Sequence, residues 1–233
     1  MTTQSIFKGL LRPVLVSAVF FMLLTGLAYP ALTTVAAQLL FPFQAQGSLI
    51  ERDGRVIGSV LIGQNFTKPE YFQGRPSMTL GADPQDPSKS VPQPYNAGAS
   101  GASNLGPTSQ KLLDQVAARA KAYRQDNGLA ADAPVPVDAV TASASGLDPH
   151  ISVANARLQL ARVARLRHIA EPELLQLLND HTAARTFGLL GEPRVNVLQL
   201  NVALDARQPS IAVSYTHLTL PTNREGERSG VAV

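Results

Sequence analysis

The stretch that decides how this chain is organised is PVLVSAVFFMLLTGLAYPALTTVAAQLLFPF, Pro13 to Phe43. It carries no charge and is built from Val, Leu, Phe and Ala. No Asp, Glu, Lys or Arg occurs between Arg12 and Glu51, a gap of 38 residues in a chain of 233. About 20 apolar residues cross a bilayer core as a helix. Val14 to Ala37 at 1.5 Å per residue gives about 36 Å, enough to cross with some tilt. Lys8 and Arg12 precede the span and Glu51 is the first charge after it, so the positive-inside bias puts the N-terminus in the cytoplasm and the bulk of the chain outside. The competing reading is a cleaved secretory leader, with Val35-Ala36-Ala37 ahead of the cut. Against it, apolar character runs on through Leu39, Leu40, Phe41 and Phe43. Pro30, in the last third of the span, should bend the helix or mark its boundary.

Seen from this segment, the composition is a mixture. A mean hydropathy near zero averages a membrane helix with a polar domain. Of the net charge of +3, Lys8 and Arg12 supply two, while the domain is nearly balanced. No basic face for nucleic acid is implied, and 6% aromatics without Trp offers few stacking platforms. Zero cysteine excludes disulfides, thiolate metal sites and a cysteine nucleophile.

The expected architecture is α+β: residues 1–12 cytoplasmic, 13–40 a transmembrane helix, 44–207 a mixed α/β extracytoplasmic domain, and 208–233 a tail. Asp53-Gly54 between apolar runs predicts a hairpin. Thr67 to Pro107, with seven prolines, predicts an irregular surface loop or flap. A helix opens at Thr108 or Ser109 and closes at Gly128. A longer helix starts from Ser152, with Ala154, Leu158, Ala161 and Arg165 in one line and Val163, Leu166 and Ile169 beside it. Arg157, Arg162, Arg165 and Arg167 then read as a solvated face or a docking face for an acidic partner. Pro172 starts a shorter helix. The alternation in RVNVLQLNVALD predicts a half-buried strand from Arg194 to Asp205, paired with the early hairpin.

No nucleotide-loop, dinucleotide, zinc-protease or serine-elbow motif occurs. Asp138, Ser143, Ser145, Asp148 and His150 supply an acid, a base and hydroxyls, but Asp-Pro ahead of a helix is ordinary punctuation. The four histidines, His150, His168, His181 and His217, share no metal-ligand spacing. Gly98, Gly101 and Gly106 in YNAGASGASNLGPTS could cradle an anion with backbone N–H groups, or let the loop pack closely on another surface.

The strings GLAYPALTT, QGSLIERDGRVIGSVLIGQNF, YFQGRPS, YNAGASGASNLGPTSQKL, VPVDAVTASASGLDPHIS and LGEPRVNVLQLNVALD, in this order between Phe7 and Asp205, closely resemble the KdpC family of bacterial potassium-transporting P-type ATPase subunits. The resemblance implies a non-catalytic accessory subunit of a high-affinity potassium uptake pump in the bacterial cytoplasmic (inner) membrane, its main domain periplasmic. The implied partners are a KdpA-like potassium channel subunit, a KdpB-like P-type ATPase subunit, a small KdpF-like peptide and membrane lipid. ATP and Mg would act through the KdpB-like subunit, whose ATP binding KdpC proteins are described as assisting in the role of a catalytic chaperone. The chain lacks the D-K-T-G phosphorylation motif of P-type ATPases. A cap over the potassium entry of the KdpA-like subunit is a further expectation. Asn104, Asp148, His150, Glu192 and Arg194 are the candidate contacts, and the carboxylates of Asp148 and Glu192 would concentrate cations. The alternative is a membrane-tethered extracytoplasmic ligand-binding module or hydrolase. Three departures from the family stand out, the first being Met78 after Arg75-Pro76-Ser77, where a smaller residue is common in the family. Ala144 replaces a glycine in TASASG, which predicts strain if that position has positive φ. The tail SYTHLTLPTNREGERSGVAV, 214–233, resembles translated adaptor read-through and is expected to be artefactual.

Overall fold

A computed structural model describes residues 3–207, with side chains from Gly9 onward. The tail, 208–233, lies outside the described residues. The chain divides into two compact units, Met1–Leu49 and Ile50–Val233.

The first unit is helical: α1 (Thr3–Leu23), a π-helical turn (Leu24–Ala28), α2 (Tyr29–Leu40) and the short α3 (Pro42–Ala45). Gly9–Leu40 is long and apolar enough to cross a membrane, with mean hydropathy 2.0 and none of its most apolar stretch buried within the chain. Its 32 residues rise about 48 Å, beyond the roughly 30 Å of a bilayer core. Pro30 does not break the helix. A proline cannot donate to the carbonyl four residues back; the irregularity is taken up just before it, where Tyr29 N–H reaches Leu24 O in an i to i+5 bond. The hydroxyls of Ser17, Thr25 and Thr33 donate to the carbonyls of Val14, Phe21 and Tyr29. Each such polar group is thus satisfied inside the helix, as an apolar solvent demands.

The second unit opens on β1 (Leu49–Arg52) and β2 (Arg55–Ser59). Asp53 and Gly54 turn between them with φ of 52° and 71°, the double positive φ of a type I′ hairpin. After a small antiparallel pair, β3 (Leu80–Ala82) and β4 (Ser90–Pro92), come α4 (Gln110–Asp126), α5 (Val137–Val140), β5 (His150–Ser152), α6 (Val153–Arg167), α7 (Glu171–Asp180), β6 (Thr182–Ala183), β7 (Arg194–Asn196) and α8 (Val197–Arg207). Ser152 caps α6 by accepting from Asn155 N–H at 3.1 Å. In the central sheet β7 lies between β5 and β6, antiparallel to both, with Val195 opposite Ile151 and Thr182. The core gathers Phe72, Ile151, Leu160, Val163, Leu174, Leu178, Val195, Leu200 and Leu204.

Three expectations are corrected. The long final strand is only three residues; from Val197 the chain is helix, and β7 pairs with β5 and β6 rather than with the early hairpin. Asn196 Oδ1 accepts from Gln199 N–H at 3.0 Å, an N-cap that starts α8 three residues into the apparent alternation. Val197, Leu200, Asn201 and Leu204, all buried, fit helical spacing as well as they fit the alternation. The buried face of α6 is also different. Ala154, Ala161 and Arg165 are exposed, whereas Asn155, Ala156, Gln159, Leu160, Val163 and Ala164 are buried together with Arg162 and Arg167. Finally, Ala144 has no positive φ; the left-handed residue of that turn is Gly146, at 69°.

The buried polar residues of α6 and α8 explain the proline-rich segment. Asn201 pairs with both backbone groups of Phe72, accepting from its N–H at 3.0 Å and donating to its carbonyl at 2.8 Å. Gln159 does the same for Gln73, at 2.8 and 3.1 Å. Arg162 donates to the carbonyls of Pro69 and Tyr71, and Arg167 Nε to that of Glu70. These side chains serve as a neighbouring strand would, satisfying buried backbone groups that have no ladder of their own. They hold Phe72 in the core, where burial of such a ring is worth about 1.5–3 kcal/mol.

Candidate functional site

The family-like motifs converge on one node. Asp148, in the turn before β5, has one carboxylate oxygen 3.0 Å from Arg75 Nη1. The other accepts His150 N–H at 3.0 Å and lies 3.3 Å from His150 Nδ1. This is the local geometry expected of Asp-Pro-His ahead of a helix, with the carboxylate folding back on the residue two positions on. Arg75 Nη2 also reaches the carbonyls of Thr141 and Ala142. Ser77 Oγ donates to Gly146 O at 2.7 Å, and Gly101 N–H and the Ser100 hydroxyl both donate to Ser145 O. The segments around 75, 100 and 145 are therefore sewn together.

Tyr95 closes the node. Its backbone is left-handed, φ 60°, and its hydroxyl donates to Arg75 O at 2.8 Å. A Cβ on Gly63 would stand 2.4 Å from its ring, and one on Gly74 2.4 Å from its hydroxyl, so small residues are required on both sides. Burial, with the negative Asp148 acting in the same sense, pushes the Tyr95 phenol up to about 12. For Asp148 partial burial acts to raise the pKa. The hydrogen bonds from His150 and Arg75, with the Arg75 charge, outweigh it and hold the carboxyl down at about 2.

Such a carboxylate stays ionised and committed to its partners, which suits a structural brace and not proton transfer near neutrality. The other loose parts are spent likewise. The Ser143 hydroxyl accepts from Gly146 N–H and that of Ser145 from Leu147 N–H. Asp138 braces the start of α6 by accepting from Ser152 N–H, the Ser152 hydroxyl and the Asn155 amide. His150 faces Asp148 and makes no hydrogen bond to a serine among the described residues. The glycine-rich loop spends Gly101 N–H on Ser145 and Gly98 N–H on the Asn96 side chain, which makes it a packing loop. Among the described residues no three His, Asp or Glu side chains cluster as metal ligands.

Of the five contacts expected from sequence, only Asp148 and His150 meet. Asn104 is exposed and left-handed, φ 52°. Glu192 is exposed and bound to Arg185 at 2.6 Å. Arg194 lies in β7 opposite Ser152, which puts Glu192 and Asp148 beyond opposite ends of the β5–β7 ladder. Each of the two carboxylates carries its own guanidinium partner. The sequence pointed to neither Arg75, Tyr95 nor Gln159, read Arg162 and Arg167 as part of a solvated or docking face, and put Asn201 in a strand; the structure buries Gln159, Arg162, Arg167 and Asn201 as a backbone-pairing set. The available signal was a polar side chain interleaved with the apolar ones at helical spacing: Gln159, Arg162 and Arg167 among Ala156, Leu160 and Val163 of α6, and Asn201 among Val197, Leu200 and Leu204 of α8.

The family pattern described as "KdpC: K+-transporting ATPase, c chain" matches residues 11–206. The "Potassium-transporting ATPase KdpC subunit" of Rhodopseudomonas palustris (strain BisB18) is 58% identical over 196 residues, 84% of this chain and 97% of the relative. The protein of the same name from Methylobacterium nodulans (strain LMG 21967 / CNCM I-2342 / ORS 2060) is 56% identical over 195 residues, 84% and 96% of the two chains. That from Burkholderia mallei (strain SAVP1) is 55% identical over 201 residues, 86% and 98%.

Proposed function

The chain belongs to the KdpC family of potassium-transporting ATPase subunits, and from that membership we propose that it is the membrane-anchored accessory subunit that stabilises a potassium uptake pump. The observation that carries the proposal is the extent of the match: the aligned region spans 84–86% of this chain and 96–98% of relatives that bear this name. The Gly9–Leu40 helix supports it, because its apolar surface is left unburied within the chain for lipid and neighbouring helices.

In this reading the N-terminus, with Lys8 and Arg12, is cytoplasmic in the bacterial inner membrane and the α+β domain lies outside. The domain caps the potassium entry of a KdpA-like channel subunit. A KdpB-like subunit carries out ATP hydrolysis with Mg, and a KdpF-like peptide completes the assembly. ATP is on the far side of the membrane from the domain, so any help to nucleotide binding passes through the assembly. Because Asp148 and Glu192 are both ion-paired, the cap acts by shape and contact and not by the field of free carboxylates. Asn104, His150 and Arg194 are its proposed contacts.

The test is affinity purification of the tagged full chain from detergent-solubilised membranes of cells expressing the whole pump. The expected result is a stoichiometric complex with a polytopic potassium-conducting subunit and a P-type ATPase. Purification of the chain alone, under detergents that keep the other subunits together, contradicts the proposal.

A further inference from the structure

The apolar helix carries one polar fault that it does not repair by itself. Tyr29 N–H donates to Leu24 O and to no other carbonyl, which leaves the carbonyl of Thr25 without its i+4 donor. The next donor in reach would be that of residue 30, and Pro30 has none. The Thr25 hydroxyl is no remedy, because it donates to Phe21 O at 2.6 Å. A bilayer core takes about 20 helical residues, and any such stretch within Gly9–Leu40 includes residues 21–28. Thr25 O therefore lies in hydrocarbon wherever the helix is placed. One turn on, the Tyr29 hydroxyl makes no hydrogen bond among the described residues, and its side chain is 64% exposed. Helix side chains lean toward the N-terminus, which carries the Tyr29 ring over the turn of Thr25 and away from the nearer end of the span. A Cβ on Gly26, between the two, would meet nothing within 4 Å. An acceptor without a donor and a donor without an acceptor thus share one face, at the i, i+4 spacing that makes helix residues neighbours.

We infer that the Thr25 carbonyl and the Tyr29 hydroxyl form a two-point notch filled by a hydroxyl or amide side chain from a transmembrane helix of another subunit of the pump, an assignment that rests on the accessory-subunit reading above. Such a side chain donates and accepts at once. Acyl chains offer no donor and the bilayer core holds no water, so the bare carbonyl is matched by protein. The hydroxyls of this span are committed or distant. Ser17, Thr25 and Thr33 donate to carbonyls of their own helix, and Thr34 and Gln38 lie at least nine residues beyond Thr25, toward the end of the span. A second copy of the chain fits poorly. The face of Thr25 and Tyr29 also bears Phe21, Met22 and Leu32, all more than half exposed, three or four residues from one or the other and so on the same side. Two copies laid on that face would set bulky side chains against one another, whereas helices that approach closely enough to bond a main-chain carbonyl do so through small residues. The helix that fits brings small residues and one polar side chain to the opening at Gly26.

The experiment uses the full chain in membranes with the whole pump. A benzophenone-bearing phenylalanine analogue replaces Leu32, on the notch face, and, as a control, Leu27. Leu27 is 66% exposed but two residues from both Thr25 and Tyr29, and so faces away from them. After irradiation, position 32 should give a covalent adduct with a transmembrane segment of another pump subunit, identified by mass spectrometry, and position 27 should not. Adducts from 32 with lipid only, with a second copy of the chain, or with nothing overturn the assignment, as do equal adducts from both positions. Tyr29→Phe removes the hydroxyl alone, and Pro30→Ala returns a backbone donor to the helix itself. Each should lower recovery of the complex about three- to tenfold, the range of interhelical hydrogen bonds in membranes. Thr25→Val keeps the carbonyl and should assemble as wild type does. Wild-type recovery by Tyr29→Phe or by Pro30→Ala overturns the notch, and so does a loss on Thr25→Val equal to theirs. Failure of the unmodified chain to assemble overturns the accessory-subunit reading and the notch with it, whereas assembly without an adduct from 32 overturns the notch alone.

Discussion

Arg167 on α6 reaches Asp205 on α8 with Nη2 2.7 Å from Oδ1, and both side chains are more than nine-tenths buried. The same guanidinium lies 4.4 Å over the ring of Tyr71, whose hydroxyl donates to the Asp205 carboxylate. Two helices and the proline-rich segment therefore share one ionic knot. Removing one partner of such a pair strands the other charge without water. Asp205→Ala is expected to destabilise the domain by about 3–5 kcal/mol, measured by denaturant unfolding of the full chain in detergent. A loss below about 1 kcal/mol would mean that water reaches Arg167.

Gly146 and Gly128 both have positive φ, 69° and 64°, but only Gly146 is enclosed. A Cβ there would stand 2.7 Å from the carbonyl oxygen of Gly101 and 2.6 Å from Thr79, whereas one on Gly128 meets nothing within 4 Å. Gly128→Ala should cost about 1 kcal/mol, the backbone strain alone. Gly146→Ala should cost about 2–4 kcal/mol, because overpacking adds to that strain, and should speed proteolysis between residues 95 and 107. Equal costs would contradict the close docking of the two loops.

Asp148 supplies a pH signature. Its carboxyl falls from 3.8 to about 2 in the folded protein: partial burial alone would raise it, but the hydrogen bonds from His150 and Arg75, with the Arg75 charge, prevail. A depressed carboxyl contributes stability that is present above the unfolded pKa and lost as pH falls through the folded one. The window is therefore about pH 4 down to 2. Asp148→Asn should be less stable than wild type at neutral pH and should lose less stability across that window. Thermal unfolding followed from about pH 6 down through that window reads both effects, and parallel curves would sink the argument.

Zero native cysteine makes topology directly measurable. Ala131→Cys, at an exposed turn after α4, should react with a membrane-impermeant maleimide in intact spheroplasts. Labelling only after the cells are broken would reverse the orientation inferred from Lys8 and Arg12.

The membrane helix, the Asp53-Gly54 hairpin, the Ser152 cap and the two helices ending at Gly128 and beginning at Pro172 were legible in the sequence because each is a local signal. The reading failed where one pattern satisfied two periods. Val197, Leu200 and Leu204 fit a strand or a helix, and only the Asn196 cap, with Gln199 three residues on, distinguishes them. It failed again at Arg162, Arg167, Gln159 and Asn201. A polar side chain ordinarily marks a solvent face, but here each pairs with the backbone of a segment some 85 or more positions earlier in the chain, which no local window contains. Of the site, the motifs around Asp148 were visible and their meeting with Arg75 and Tyr95 was not. Glu192 was grouped with Asp148 by motif alone, and the β5–β7 register separates them.

The most direct test of the central claim is potassium-stimulated ATP hydrolysis by the purified pump, assembled with and without this chain in the same detergent. The account predicts that the complex lacking the chain loses most of its potassium-stimulated activity and regains it when the full-length chain is co-expressed. Full potassium-stimulated activity without the chain would contradict it.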